Sequence, residues 1–179
     1  PWILLALSSL AFSPFSPIAV VPGLLLCLFF FFAIFYSAPP IRAKARPFLD
    51  SAFNTLYLLP GLISYVSLSP PVNGFGVDFR FPWHATLAGA CWCMAMHAYS
   101  AVPDIEADTG AGLRTIATEL GARKTLLLCA VLYATSAVIV CFTVNTMGLR
   151  YVFLLLGIFY VILMYISLTR IDDLMPIYK

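Results

Sequence analysis

Charge is scarce in this sequence, and acidic charge is scarcest: 8 Asp and Glu against 10 Lys and Arg in 179 residues. Charged residues make up 10% of the chain and hydrophobic ones 62%, where a soluble domain carries about 25% charge. Too little polar surface exists to cover a water-soluble globule, so the chain is expected to be a polytopic membrane protein lying in a lipid bilayer. A net charge of +2 is too small to suggest a nucleic-acid partner. The five cysteines, Cys27, Cys91, Cys93, Cys129 and Cys141, all lie inside apolar runs. None has a Cys-x-x-C partner or a His/Cys set at zinc spacing, which excludes the usual structural zinc site. They are read as small side chains facing lipid or a neighbouring helix. The chain opens on Pro1 with no basic segment leading into a cleavage site. A signal peptide is therefore not expected there, and an internal start, that is a fragment, is.

What is abundant is apolar runs. A membrane helix needs about 20 mostly apolar residues, and runs at 18–36, 48–68, 83–102, 123–144 and 151–169 meet that need, with a partial run at 1–12. The fold class expected is all-α, a transmembrane helical bundle of about six spans. Residues 13–17 hold two prolines and read as a turn. Residues 37–47 form a basic loop with Pro39-Pro40, and 69–82 a polar loop. The run at 48–68 should open near Asp50 or Ser51 and kink at Pro60-Gly61, since proline in a membrane helix often frees backbone groups toward a cavity. Residues 103–121 hold an acidic stretch and a short amphipathic piece, and 170–179 a mixed tail. No internal repeat is evident.

Alternating the spans places Arg42, Lys44, Arg46, Arg114, Arg123, Lys124, Arg170 and Lys179 on one side, and Arg80 and Arg150 on the other. The excess of cations assigns the first side to the cytoplasm. The acidic stretch and the basic loop therefore share the cytoplasmic face.

That acidic stretch, Asp104-Ile-Glu-Ala-Asp108, concentrates three of the 8 carboxylates in five positions. At a helix centre each aspartate costs about 2.5–3.5 kcal/mol on insertion scales, roughly 8–10 for three, so an interfacial position is expected. Asp104 and Asp108 are four apart, which on a helix gives one face with Cβ atoms about 5–6 Å from each other. Such a pair suits Mg²⁺, which takes oxygen ligands, keeps several waters and bridges one or two carboxylates to a phosphate. Glu106 points elsewhere on the same helix. Gly110 and Gly112 allow close backbone approach and unusual dihedrals, and Arg114 is a forked partner for phosphate. The alternative is a solvated acidic loop whose carboxylates pair with Arg114. Arg42, Lys44 and Arg46 are suited to a diphosphate or an anionic headgroup, or serve only to retain their loop in the cytoplasm. Asn54 and His97 are polar groups within or beside the spans and so candidates for function, or for ordinary hydrogen bonds between helices. Tyr57, Tyr65, Tyr99 and the phenylalanines supply aromatic faces of the kind that stabilise a cation.

Asp104-x-x-x-Asp108 followed by Gly112-Leu-Arg114-Thr115 and Glu119-Leu-Gly121 resembles the second aspartate-rich motif of the UbiA-type intramembrane prenyltransferases. Tyr36-Ser-Ala-Pro-Pro with Arg42, Lys44, Arg46-Pro47 and Asp50 resembles the loop two helices earlier, in wording closest to the branch that includes lycopene elongases. The resemblance spans 18–168. It implies a helical bundle of about nine spans around a lateral cavity, with Mg²⁺ holding a prenyl diphosphate and a lipophilic acceptor, a carotenoid or an aromatic or quinone precursor, attacking the allylic cation. On this chain it implies Asp104 and Asp108 as metal ligands, and Arg42, Lys44 and Arg114 as diphosphate partners, with Tyr36 and Asn54 beside the substrate. Three departures stand out. No acidic residue precedes Asp50, so the first aspartate-rich motif is absent. Ala101 occupies a position often held by Asp. Pro40 stands where some members of the family have Lys, four residues after the Tyr. Residues 1–179 are thus expected to be a partial domain without its N-terminal helices, unable to transfer a prenyl group alone. A non-catalytic remnant, or a terpene cyclase on the same fold, would share these features. A small transporter would instead carry charge at mid-membrane and often a repeat.

Overall fold

The computed structural model describes residues 17–68 and 81–171, with side chains from residue 21. The expectations for 1–12, for most of the 13–17 turn and the 69–82 loop, and for most of the tail lie outside the described residues, as do Arg80 and Lys179. The described elements are α1 (Pro17–Ser37), a 3₁₀ turn (Ala43–Ala45), α2 (Leu49–Phe53), a 3₁₀ segment (Asn54–Leu58), α3 (Leu59–Leu68), α4 (Trp83–Ser100), α5 (Ile105–Gly110), α6 (Ile116–Leu120), α7 (Ala122–Thr143) and α8 (Met147–Thr169). No strand occurs among the described residues. The all-helical expectation holds. α7 and α8 are long and apolar enough to cross a membrane, and α1 is apolar over Val21–Ser37.

Two expected details are corrected. The run at 48–68, expected to bend at Pro60-Gly61, leaves α geometry over the whole 3₁₀ segment just before Pro60, and Gly61 lies inside α3. The cause is Pro60. It has no N–H to offer the Leu56 carbonyl four residues back, and its ring crowds that carbonyl. Leu59 N–H takes the Leu56 carbonyl in a tighter bond three residues back, which is 3₁₀ geometry. Arg150, expected in a loop, lies in the first turn of α8 and bonds through Nε to the Val144 carbonyl. The long stem follows the apolar helix while the charge stays at its end.

α4 packs along α7, and α7 along α8, while α1 packs on α3; α2 and the 3₁₀ segment join the two groups by leaning on α4. The central core lies between α4, α7 and α8: Ala95, Ala98, Leu126, Cys129, Tyr133 and Met164. Small residues let the backbones approach, the usual means of helix association in lipid, where burial alone supplies no drive. Cys129 donates its thiol to the Ala95 carbonyl (3.4 Å), and Tyr99 and Ser167 hydroxyls join α4 to α8 (3.2 Å). The cysteines are all free, as expected, with Cys93 and Cys129 buried.

Gly157 marks the tightest approach of α8 to α7. A Cβ there would sit 2.3 Å from Ala137 Cβ, so the helices would have to separate. Gly157→Ala is expected to destabilise by about 1–3 kcal/mol, the usual cost of overpacking. Thermal unfolding in detergent measures it, and an unchanged midpoint would mean that α7 and α8 are not held so closely.

Candidate functional site

The site is built where α1, α2, α4 and α5 end or begin. α5 is a short helix that carries the acidic stretch. Asp104 precedes it and Asp108 lies within it, with Asp108 N–H bonded to the Asp104 carbonyl (2.8 Å). The two residues are therefore one turn apart along the chain, as the spacing requires. Asp104 and Glu106 are exposed and Asp108 half-buried. The helix closes with a Schellman pair: Leu113 N–H reaches the Asp108 carbonyl (2.8 Å) and Gly112 N–H the Thr109 carbonyl (3.0 Å). This closure puts the penultimate residue in the left-handed region, and Gly112 has φ 68°. A Cβ there costs about 1–2 kcal/mol. Gly112→Ala is accordingly expected to lower stability by about that amount and to loosen the chain after Asp108, which amide exchange over 108–116 reads directly. Gly110, by contrast, is an ordinary helical residue with open space around it.

The chain then turns into α6, whose start is capped by Thr115 and Thr118 in a reciprocal box. The Ile116 N–H, one of the orphan donors at a helix start, goes to Asp50 Oδ2 at 2.8 Å. Asp50 is wholly buried. Its Oδ1 accepts Ser51 N–H (2.8 Å) and its own N–H bonds to the Arg46 carbonyl (3.0 Å). His97 Nε2, from the last turn of α4, lies 3.8 Å from Asp50 Oδ2. Asn54 donates to the Asp50 carbonyl (2.8 Å), and its side chain neighbours Tyr36. The Tyr36 and His97 rings meet edge to face, with centroids 6.2 Å apart. The charge of Asp108 is felt by both Tyr36 and His97.

Of the residues singled out from sequence, Tyr36, Asn54 and His97 are thus brought together around Asp50, and Asp108 stands on the helix whose following segment Asp50 holds at Ile116. Arg42 and Lys44 lie on the loop that Asp50 anchors through Arg46. Neither has a carboxylate partner among the described residues. Arg42 is exposed and adopts φ 46°, a left-handed conformation uncommon outside glycine. Arg46 donates to the Pro40 carbonyl (3.2 Å), folding the loop on itself. Arg114 does not pair with the aspartates. It bonds Glu119 Oε2 at 2.8 Å, a contact that raises its affinity for its proton further. Both partners are exposed, so the bond contributes little to stability.

Asp50 is the residue that sequence reasoning passed over, noted only as a helix start and as part of a loop. The available signal was its isolation: it is the first acidic residue in the chain, and it precedes an apolar run. Among the described residues no three His, Cys, Asp or Glu side chains gather as a metal cage. Two carboxylates one turn apart, offering oxygen only and open to water, are nonetheless the donor set that Mg²⁺ accepts when waters and phosphate oxygens complete its shell.

A cavity of about 470 Å³ lies between α4, α7 and α8 in the half of the bundle away from α5, lined by Gly89, Trp92, Tyr133, Val140, Phe153 and Tyr160 among others. Tyr133 and Tyr160 stack at 4.4 Å. Tyr57 and Tyr65 are on the outer surface and Tyr99 is committed to Ser167.

The profile of a family described as the UbiA prenyltransferase family matches residues 2–176. A lycopene elongase/hydratase of Haloferax volcanii is 46% identical over 113 residues, 61% of this chain and 34% of that protein. One of Halobacterium salinarum is 42% identical over 114 residues, 64% of this chain and 38% of that protein. One of Corynebacterium glutamicum is 36% identical over 111 residues, 60% of this chain and 36% of that protein. The matched stretch thus spans little more than a third of these curated relatives. No solved structure matches the chain.

Proposed function

We propose, for a chain that belongs to the UbiA prenyltransferase family, that it supplies the second diphosphate-holding half of an intramembrane prenyltransferase of carotenoid biosynthesis. The substrates are an allylic prenyl diphosphate and a lipophilic acceptor, a carotenoid in the first instance. The observation that carries this reading is the fixed geometry of Asp104 and Asp108, one turn apart on α5, with α6 and the basic loop both tied to Asp50. Two carboxylates together with Arg42 and Lys44 at one bundle end suit a metal diphosphate better than either element does alone.

Asp104 and Asp108 would hold Mg²⁺, which when bound there neutralises the leaving diphosphate. Arg42 and Lys44 bind phosphate oxygens from the loop. Arg114 has five donors in its guanidinium, so it can hold Glu119 and still reach a phosphate. Tyr36, whose ring meets His97 edge to face, contributes aromatic surface beside the site; an aromatic face near the breaking allylic C–O bond stabilises positive charge. The cavity between α4, α7 and α8, with a mostly apolar lining, offers its surface to hydrocarbon. On the excess of basic residues in the loops at this end, the site faces the cytoplasm.

The test uses membranes carrying the full-length coding sequence, given Mg²⁺, labelled allylic diphosphates and a lipid extract, with Asp104→Asn and Asp108→Asn beside the wild type. Diphosphate release that requires Mg²⁺ and both aspartates is expected. No release from any diphosphate by a folded, inserted protein overturns the reading in favour of a non-catalytic relative.

A further inference from the structure

We propose that Asp50, oriented by His97, is the positioning residue of this site: its buried carboxylate sets the segment that follows the acidic helix against the basic loop. The inference rests on the diphosphate reading above for its kinetic consequence, and on geometry alone for its structural one.

Four contacts close a ring. Tyr36 meets Asn54, Asn54 bonds the Asp50 main chain, Asp50 faces His97, and His97 returns to the Tyr36 ring. The ring joins α1, α2, the 3₁₀ segment and α4. Asp50 then reaches out of it twice. Its N–H holds the Arg46 carbonyl, the end of the basic loop, and its Oδ2 holds the Ile116 N–H, the end of the turn leading from Asp108. One residue therefore bears on both charged elements, through bonds of 3.0 and 2.8 Å.

A buried carboxylate is retained only where its lone pairs are used. Here both oxygens are committed to backbone N–H groups, and one of those groups belongs to a helix start, where negative charge is favoured. His97 Nε2 lies too far from Asp50 Oδ2 for a strong hydrogen bond. Its place beside the same oxygen that holds Ile116 limits how that oxygen can turn. No substrate atom needs to touch either residue. Their effect is on where Asp108 stands relative to Arg42 and Lys44, and a carboxylate held less firmly in place binds its cation more weakly while the chemistry of the loaded site is kept.

Asp50→Asn separates the role from simple folding. The amide keeps one acceptor oxygen and must present its NH₂ to the other N–H, so one of the two bonds is lost with little change of shape. The Mg²⁺ concentration for half-maximal diphosphate release is expected to rise at least about tenfold, with the rate at saturating Mg²⁺ within a few-fold of wild type. His97→Ala, which empties the place beside Asp50 Oδ2, should shift it in the same direction, and His97→Gln, which keeps polar bulk there, should shift it less. Hydrogen exchange without substrate or metal provides the second readout. In Asp50→Asn the Ile116 amide and 108–116 should lose protection while α7 keeps its own. An unchanged Mg²⁺ dependence with unchanged exchange overturns the proposal. So does a fall in maximal rate and melting temperature together with no change in Mg²⁺ dependence, because that marks a structural residue only. If the wild type releases no diphosphate, the prenyl-transfer reading fails, and the exchange experiment still decides the geometry.

Discussion

With Asp108 changed to asparagine, Mg²⁺-dependent diphosphate release in the full-length protein is expected to fall by about two to three orders of magnitude. The size follows from what the carboxylate does. A bound cation supplies several kcal/mol of charge stabilisation at the departing phosphate, and each 1.36 kcal/mol is a factor of about ten in rate. Asparagine keeps the shape and one oxygen but removes the negative charge that holds the ion. Asp108 is the half-buried member of the pair, and its charge reaches Tyr36 and His97. Asp104, one turn away and exposed, should show the same direction of effect with a smaller loss of ion affinity. Raising Mg²⁺ should recover part of the activity of Asp104→Asn and little of that of Asp108→Asn. A rate for Asp108→Asn within threefold of wild type would remove the metal-holding role from this helix.

Asp50→Leu should have the largest effect on stability of any single substitution at this end of the bundle. It leaves the Ser51 and Ile116 N–H groups buried without an acceptor. Each unpaired donor costs about 1–3 kcal/mol, roughly 2–6 for the two. Against a total stability of about 5–15 kcal/mol for an ordinary domain, that is a large share, and it should lower the melting midpoint markedly. Leucine fills the volume, so the loss is one of hydrogen bonding and not of packing. Thermal or denaturant unfolding in detergent measures it. A melting midpoint equal to wild type would show that these amides find other partners and that Asp50 does not hold the loop to α6. Asp50→Asn, which retains one acceptor, should lose less.

How far the site was legible in the sequence depended on the range of the interaction. Asp104 and Asp108 share a face because they are four residues apart, and the helix that joins them is local. Gly112 was marked for an unusual conformation and has one, because the closing turn of α5 lies within six residues of chain. The meeting of the basic loop with the acidic stretch was expected from alternation of the spans, and Asp50 is what makes the connection. Arg114 was read as a phosphate ligand or a partner of the aspartates. Its actual partner, Glu119, is only five residues away. The reading overlooked it because the turn at Gly112 and the Thr115 cap decide which carboxylate it meets. Pro60 was recognised as a breaker, but the break spreads backwards over Asn54–Leu58, since the bond that proline cannot make belongs to the preceding turn.

The sequence by itself determined that the chain is helical and membrane-embedded, which end of the bundle carries the charges, and which two carboxylates share a helix face. These follow from apolar run length and from spacing along one helix, both written in consecutive residues. Only the tertiary structure decided that Asp50 is buried, that its partners are Ile116 and His97, and that a cavity opens between α4, α7 and α8. A lone aspartate before an apolar run reads the same whether water or another helix covers it. Burial depends on segments 47 and 66 residues away in sequence (97 − 50 and 116 − 50), and no local pattern records which of them will fold over it.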